Sequence, residues 1–147
     1  MKLCSACLLG VNCRYDGGVK KNEKVITLAN KEVLIPVCPE QLGGQPTPRR
    51  NAEIAGGNGN DVLDKKAKVI EPDNTDITDS FVAGANETLK LAKMYNCTEA
   101  ILKQRSPSCG TGKIYDGTFQ GTLINGDGVT TALLKRNGIR VISEEEL

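Results

Sequence analysis

Apolar residues fall along this chain in two rhythms. Short runs of β-branched and aliphatic residues, Met1 to Ala6, Val33 to Val37, Ala100 to Leu102 and Arg140 to Ile142, have the length and content of strands. Helical spacing takes over between them. Phe81, Ala85, Leu89 and Ala92 recur at close to four-residue intervals behind Thr75-Asp76-Ile77-Thr78-Asp79, a stretch rich in helix-capping side chains. This predicts a helix from Thr78 to Tyr95. Val25, Ile26 and Leu28 mark a shorter one over Glu23 to Lys31. Thr130 to Arg136 forms a third, stopped at Asn137-Gly138 where glycine accepts the left-handed conformation.

Strand, loop, helix and strand in succession are the grammar of parallel pairs joined by right-handed crossovers, so the pattern predicts an α/β fold with a mainly parallel sheet. Two segments break it. Residues 51 to 72 read as a small irregular β excursion, with Glu53-Ile54 and Val62-Leu63 as a hairpin across Gly56-Gly57-Asn58-Gly59-Asn60, and Ala67 to Ile70 as a further strand. Lys113 to Leu123 reads as extended, ahead of a turn and cap at Asn125-Gly126-Asp127-Gly128. The two prolines and two glycines between Gly43 and Arg50 leave that stretch as a loop.

Composition narrows the chemistry. A chain of 147 residues is the size of one domain, expected over residues 1–147, and with 3% aromatics and no Trp its core must be aliphatic. A formal net charge of +1 provides no field for a phosphate polymer, which disfavours nucleic acid as a partner. No run approaches the roughly 20 apolar residues of a membrane span, and the amino terminus lacks a basic and then apolar leader, so a cytoplasmic protein without membrane attachment is expected. Six cysteines are then expected to be reduced, for ligand or catalytic duty. The chain has no histidine. That excludes Cys/His proteolysis, Ser-His-Asp hydrolysis and mixed Cys/His zinc sites.

The strand ends gather the thiols. Cys7 follows the first strand, Cys38 ends the second in Val37-Cys38-Pro39-Glu40, and Cys109 lies in Ser106-Pro107-Ser108-Cys109-Gly110, beyond Ala100 to Leu102. In an open parallel sheet these carboxyl ends share one edge, where ligands bind. Two inorganic groups suit three thiolates. Zinc would complete its shell with Cys4, Cys13 or water, and an iron-sulfur cubane held by three cysteines leaves one iron open. Cys4 reads as core despite its Cys-x-x-Cys spacing, Cys13 as a loop thiol and Cys97 as packing. Glu40, two residues past a thiol, is the carboxylate assigned to proton handling. Asp16 reads as a turn residue or acid, and Arg49 and Arg50 as an exposed pair or a clamp for the substrate. Neither glycine cluster has the ending of a phosphate-binding loop.

The blocks SACLLGVNCRYDGG, PVCPEQLGGQPTPR with NAEIAGG, LKQRSPSCG and IYDGTFQG resemble, in that order from Cys4 to about Gly121, the signatures of a family long catalogued as a domain of unknown function and since identified as thiouracil desulfidases. The resemblance implies a Rossmann-like, three-layer α/β domain and a 4Fe-4S cluster held by Cys7, Cys38 and Cys109. It also implies catalytic roles for Glu40, Ser106 and Ser108 and a small thiolated base as the partner. Asp16 and Arg49 are the expected substrate contacts. Cys4 stands where an aliphatic residue is common in the family. Two alternatives remain at this level: a zinc-stabilised binding module using Cys4, Cys7, Cys38 and Cys109, and a thiol redox protein.

Overall fold

A computed structural model describes residues 1–147. Four parallel strands, β1 (Lys2–Ser5), β2 (Leu34–Val37), β5 (Glu99–Leu102) and β8 (Arg140–Ser143), form the central sheet in the order β2-β1-β5-β8. Period-two alternation sends their side chains to opposite faces. Leu3, Val37, Ala100, Leu102 and Val141 pack with Leu89, Ala92 and Leu134, beneath α4 (Thr78–Met94) and α5 (Val129–Arg136). Cys4, Ile101, Leu34 and Ile142 pack with Val25 and Leu28 of α1 (Glu23–Ala29) on the other face. The result is a three-layer α/β arrangement with a parallel core. Pro36, which cannot donate to a ladder, is accommodated because β2 is an edge strand. No helix is long and apolar enough to cross a membrane.

The irregular β excursion is real, but its internal order differs from the expected hairpin. β3 (Glu53–Ala55) pairs antiparallel with β4 (Lys68–Ile70), and Val62-Leu63 lies in the intervening α3 (Gly59–Leu63). The cause is local: Asn58 and Asp61 form a reciprocal capping box that starts a helix where the glycines suggested a turn. Likewise the extended 113–123 stretch is two short strands, β6 (Lys113–Tyr115) and β7 (Leu123–Asn125), folded on each other. Asn125 ends β7, and Gly128 starts α5 without a side-chain cap. For α4, Asp76 accepts from the Thr78 amide at 2.9 Å and its hydroxyl at 2.6 Å.

A small helix, α2 (Pro39–Leu42), carries Glu40 and lies across α4 at a pair of glycines. A Cβ added to Gly84 would collide with the Pro39 carbonyl, and one added to Gly43 with the Ser80 carbonyl. This backbone-to-backbone approach sets the height of α2 above the sheet edge. Gly84→Ala is expected to destabilise the protein by about 1–3 kcal/mol through overpacking. A thermal melt checks it, and an unchanged midpoint would mean α2 is not held there.

Candidate active site

The carboxyl ends of β2, β1 and β5 meet where the chain has turned to both sides of β1, the crevice at which open α/β sheets bind ligands. A cavity of about 450 Å³ occupies this position, within the range of small-molecule sites. Cys7 reaches it from the 3-10 turn Ala6–Leu9 directly after β1, and Cys38 from the residue that opens α2. Cys109 reaches it from the loop after β5. That loop is shaped by its own side chains. Gln104 pairs with Thr111 as a strand would, donating to its carbonyl at 2.6 Å and accepting from its amide at 2.8 Å. Arg105 next to it adopts a left-handed φ of 73°. The first turn of α5 completes the loop, its Val129 and Thr130 amides donating to the Pro107 and Ser108 carbonyls.

All six cysteines are free thiols. Cys7, Cys38 and Cys109 are brought together around the cavity, and Cys13 joins them. Cys13 lies in a loop, as expected, but it is only 2% exposed and borders the cavity. Its carbonyl takes a hydrogen bond from the Cys38 thiol at 3.6 Å, which seats the 11–18 loop on the sheet edge. Cys4 is fully buried, does not line the cavity and bonds the Ser5 carbonyl. Cys97 packs in the core beneath α4.

Burial raises the thiols of Cys4, Cys13, Cys38 and Cys109, most of all the first and last. It pushes Cys4 and Cys109 up to about 12, with smaller contributions from neighbouring charges. Cys38 is raised first by the neighbouring Cys13 thiol and then by burial. Cys13 is lowered by the neighbouring Cys38 but raised by Cys7 and by burial, and ends at about 11. The metal-free fold therefore keeps these protons in a range where an unfolded chain, with ordinary thiols near 8.5, loses them. Above about pH 9 the folded state binds more protons, so stability falls with rising pH until the buried thiols ionise near 12. The slope is up to about 1.4 kcal/mol per pH unit for each such thiol. Cys4→Val, close in volume and away from the cavity, should flatten the decline of the metal-free protein between pH 9 and 11 by about one thiol's share. Denaturant melts across that range measure it, and an unaltered slope would show that Cys4 carries no such burden.

Beside the thiols runs a polar chain. Glu40, 15% exposed, accepts at Oε1 from Arg49 Nε at 3.0 Å and at Oε2 from the Ser108 hydroxyl at 2.8 Å. Ser108 lies 3.3 Å from the Ser106 hydroxyl, which in turn accepts from the Cys109 amide at 2.7 Å. Arg49, 5% exposed, also donates to the Cys13 carbonyl at 2.9 Å, and to Pro46 and Thr47. Four of its five N–H groups thus position Glu40, the Cys13 loop and the Pro46-Thr47 turn. Arg50 pairs with Asp73 at the surface. Asp16 lies outside the cavity, exposed, with Oδ1 accepting from the Gly18 amide at 2.8 Å in a local turn. Lys103 lines the cavity and is paired with Glu144 at 2.9 Å.

Several lining residues escaped the sequence reading, Glu53 and Phe119 among them. Glu53 lines the cavity from β3, and Phe119 does so from the loop between β6 and β7. A carboxylate entering a predicted strand beside an apolar partner, as in Glu53-Ile54, was the available signal for the first. None existed for Phe119.

No three Cys, Asp or Glu side chains converge closely enough to share one metal ion. The closed four-thiolate zinc shell is therefore not formed, with Cys4 turned into the core and an open cavity in its place. Soft thiolate donors on three separate segments, without histidine, suit a polynuclear iron-sulfur group.

Fold and site together define a Rossmann-like α/β protein with a thiol-lined pocket at the switch point of its sheet. The chain belongs to the 2-thiouracil desulfurase family, whose model matches residues 3–146. It is 50% identical over 147 residues to the uncharacterised protein YbbK of Bacillus subtilis (strain 168), covering all of this chain and 97% of that one. It is also similar to the solved structure of the 4Fe-4S-dependent thiouracil desulfidase TudS. The TM-score is 0.87 and the identity 40%, over 99% of this chain and 91% of that one.

Proposed function

We propose that this protein is a 4Fe-4S cluster-dependent desulfidase that hydrolyses the thiocarbonyl of a small thiolated base, with 2-thiouracil and water giving uracil and hydrogen sulfide. One observation carries the reading: the Cys7, Cys38 and Cys109 thiols face the same cavity as the Glu40–Ser108 pair. Family membership and the likeness to TudS support it. Cys7, Cys38 and Cys109 would hold the cluster, which supplies an iron free of protein thiolate, a soft Lewis acid suited to sulfur over oxygen.

The chain's own groups handle water and protons. Glu40 is fixed by Arg49 on one oxygen, so the other works through Ser108. With its proton on Glu40, the Ser108 hydroxyl keeps lone pairs for a water in the cavity. A proton leaving that water passes to Ser108 as the serine proton moves to Glu40, and the hydroxide oxygen bonds to the ring carbon. Ser106 steadies Ser108 and the Cys109 amide together. Departure of sulfur as hydrogen sulfide returns the protons, and no electrons are exchanged. Burial of this chain among thiols and apolar walls strengthens each of these bonds.

Anaerobic reconstitution with iron and sulfide tests the reading. About four irons per chain, a brown protein and release of uracil from 2-thiouracil are expected. A colourless protein with stoichiometric zinc and no turnover would end it.

A further inference from the structure

Glu53 is a second carboxylate of the cavity, and the proton relay does not use it. Its residue is 5% exposed, and no Lys or Arg lies within ion-pair reach. Oε1 accepts from the Gly117 amide at 3.0 Å and from the Phe119 amide at 3.1 Å. Oε2 has no protein partner, yet it is not among the sealed, unpaired polar atoms, of which Thr130 Oγ1 is the sole case. The open space Glu53 adjoins is the cavity. A buried carboxylate oxygen left without a donor is costly unless something else supplies one.

The loop held by Oε1 adds a second feature. Gly117, at φ 91°, lies so close on β3 that a Cβ would stand 2.6 Å from the Ile54 carbonyl. That approach and the two bonds to Glu53 hold Phe119 at the cavity wall. Tyr15 and Tyr115 line the same space. Three of the five aromatic side chains in a chain with three Tyr, two Phe and no Trp therefore border one pocket. Flat faces beside a lone acceptor describe a ligand that is a planar ring with an N–H on its edge.

We propose that Glu53 is the specificity residue of this pocket: Oε2 accepts the ring N–H of the thiolated base, while Oε1 holds the loop that brings Phe119 to the wall of the pocket. This rests on the desulfidase reading and deepens it. Glu40, with one oxygen on Arg49 and the other on Ser108, leaves Glu53 as the carboxylate free for recognition. The task is separate from catalysis, because the N–H is read both before and after sulfur leaves.

Glu53→Gln makes the test, since an amide oxygen can still hold the loop while an NH2 replaces the acceptor. Reconstituted wild type and variant are compared on 2-thiouracil and on its 1-methyl and 3-methyl derivatives. Uracil binding is followed by calorimetry, and amide exchange at Gly117 and Phe119 by mass spectrometry or NMR. The variant is expected to keep its iron and its loop protection, with KM raised about 10- to 100-fold, uracil affinity lowered to match and kcat changed far less. Wild type should reject one methyl derivative, and the variant should lose that preference at least tenfold. Unchanged KM, uracil affinity and methyl preference would overturn the proposal. So would a KM that rises only in step with faster exchange of the loop, which marks a structural role. If the wild-type protein, fully loaded with iron, neither turns over 2-thiouracil nor binds uracil, the desulfidase reading itself has failed and this inference falls with it.

Discussion

Glu40→Gln is expected to retain the full iron content of the reconstituted protein and to lose about 100- to 10,000-fold in kcat, the span over which a positioned general base contributes. Glutamine matches the shape of Glu40, so it can still meet the Ser108 hydroxyl 2.8 Å away, but it cannot take the proton that Ser108 passes on. Its second effect is on stability. Arg49 is almost wholly buried and loses the only carboxylate within 4.0 Å, keeping carbonyl and hydroxyl partners at Cys13, Pro46 and Thr47. Leaving a buried guanidinium with neutral partners is costly, so the melting midpoint should fall by several degrees. Kinetics are therefore measured well below that midpoint, with iron quantified in the same sample. A variant that turns over normally would remove Glu40 from the chemistry, whatever its effect on melting.

Cys38→Ser should abolish turnover by a different route, through loss of the cluster. Cys38 stands at the end of β2 and opens α2. Serine there offers a harder, shorter and far less acidic donor, unsuited to iron-sulfur ligation. Iron content should drop to background after reconstitution, with the visible absorption gone and the metal-free fold intact by circular dichroism. Two comparisons make the result specific. Cys97→Ser, in the core beneath α4, should retain iron. Cys13→Ala should retain it as well if Cys7, Cys38 and Cys109 are the ligands, although Cys13 borders the same space. Loss of iron in Cys13→Ala with retention in Cys38→Ser would reassign the ligand set.

Much of the architecture was legible because it depends on local pattern. The helix over Phe81, Ala85, Leu89 and Ala92 and the four strands of the sheet lie within two residues of their expected limits. Helical spacing and apolar runs of strand length require no knowledge of what lies opposite. The places of Cys7, Cys38 and Cys109 followed from the same logic, since parallel strands must deliver their ends to one edge. Where the reading slipped, a local signal had two outcomes. Gly56 to Asn60 suited a turn, but the Asn58–Asp61 capping box begins a helix there.

The site's finer assignments were another matter. Arg49 lines the cavity as expected, but nothing in the sequence shows that its guanidinium also holds Glu40 and the Cys13 carbonyl. Cys13 is the loop thiol expected, and what the sequence does not show is that bonds from Arg49 and the Cys38 thiol to its carbonyl draw that loop inward.

Taken alone, the sequence determined the class of fold, the edge at which chemistry is possible, the soft and histidine-free character of the donors, and the family. These follow from periodicity, residue type and motif order, which are properties of the chain. Tertiary structure decided which groups are free and which are spent. Glu40 is bound at both oxygens, Asp16 is confined to its own turn, Cys4 faces the core, and Glu53 keeps one oxygen open to the cavity beside Phe119. Those distinctions depend on hydrogen bonds between residues as far apart as Glu40 and Ser108, and such pairs form only when the β2 and β5 ends are brought together across β1.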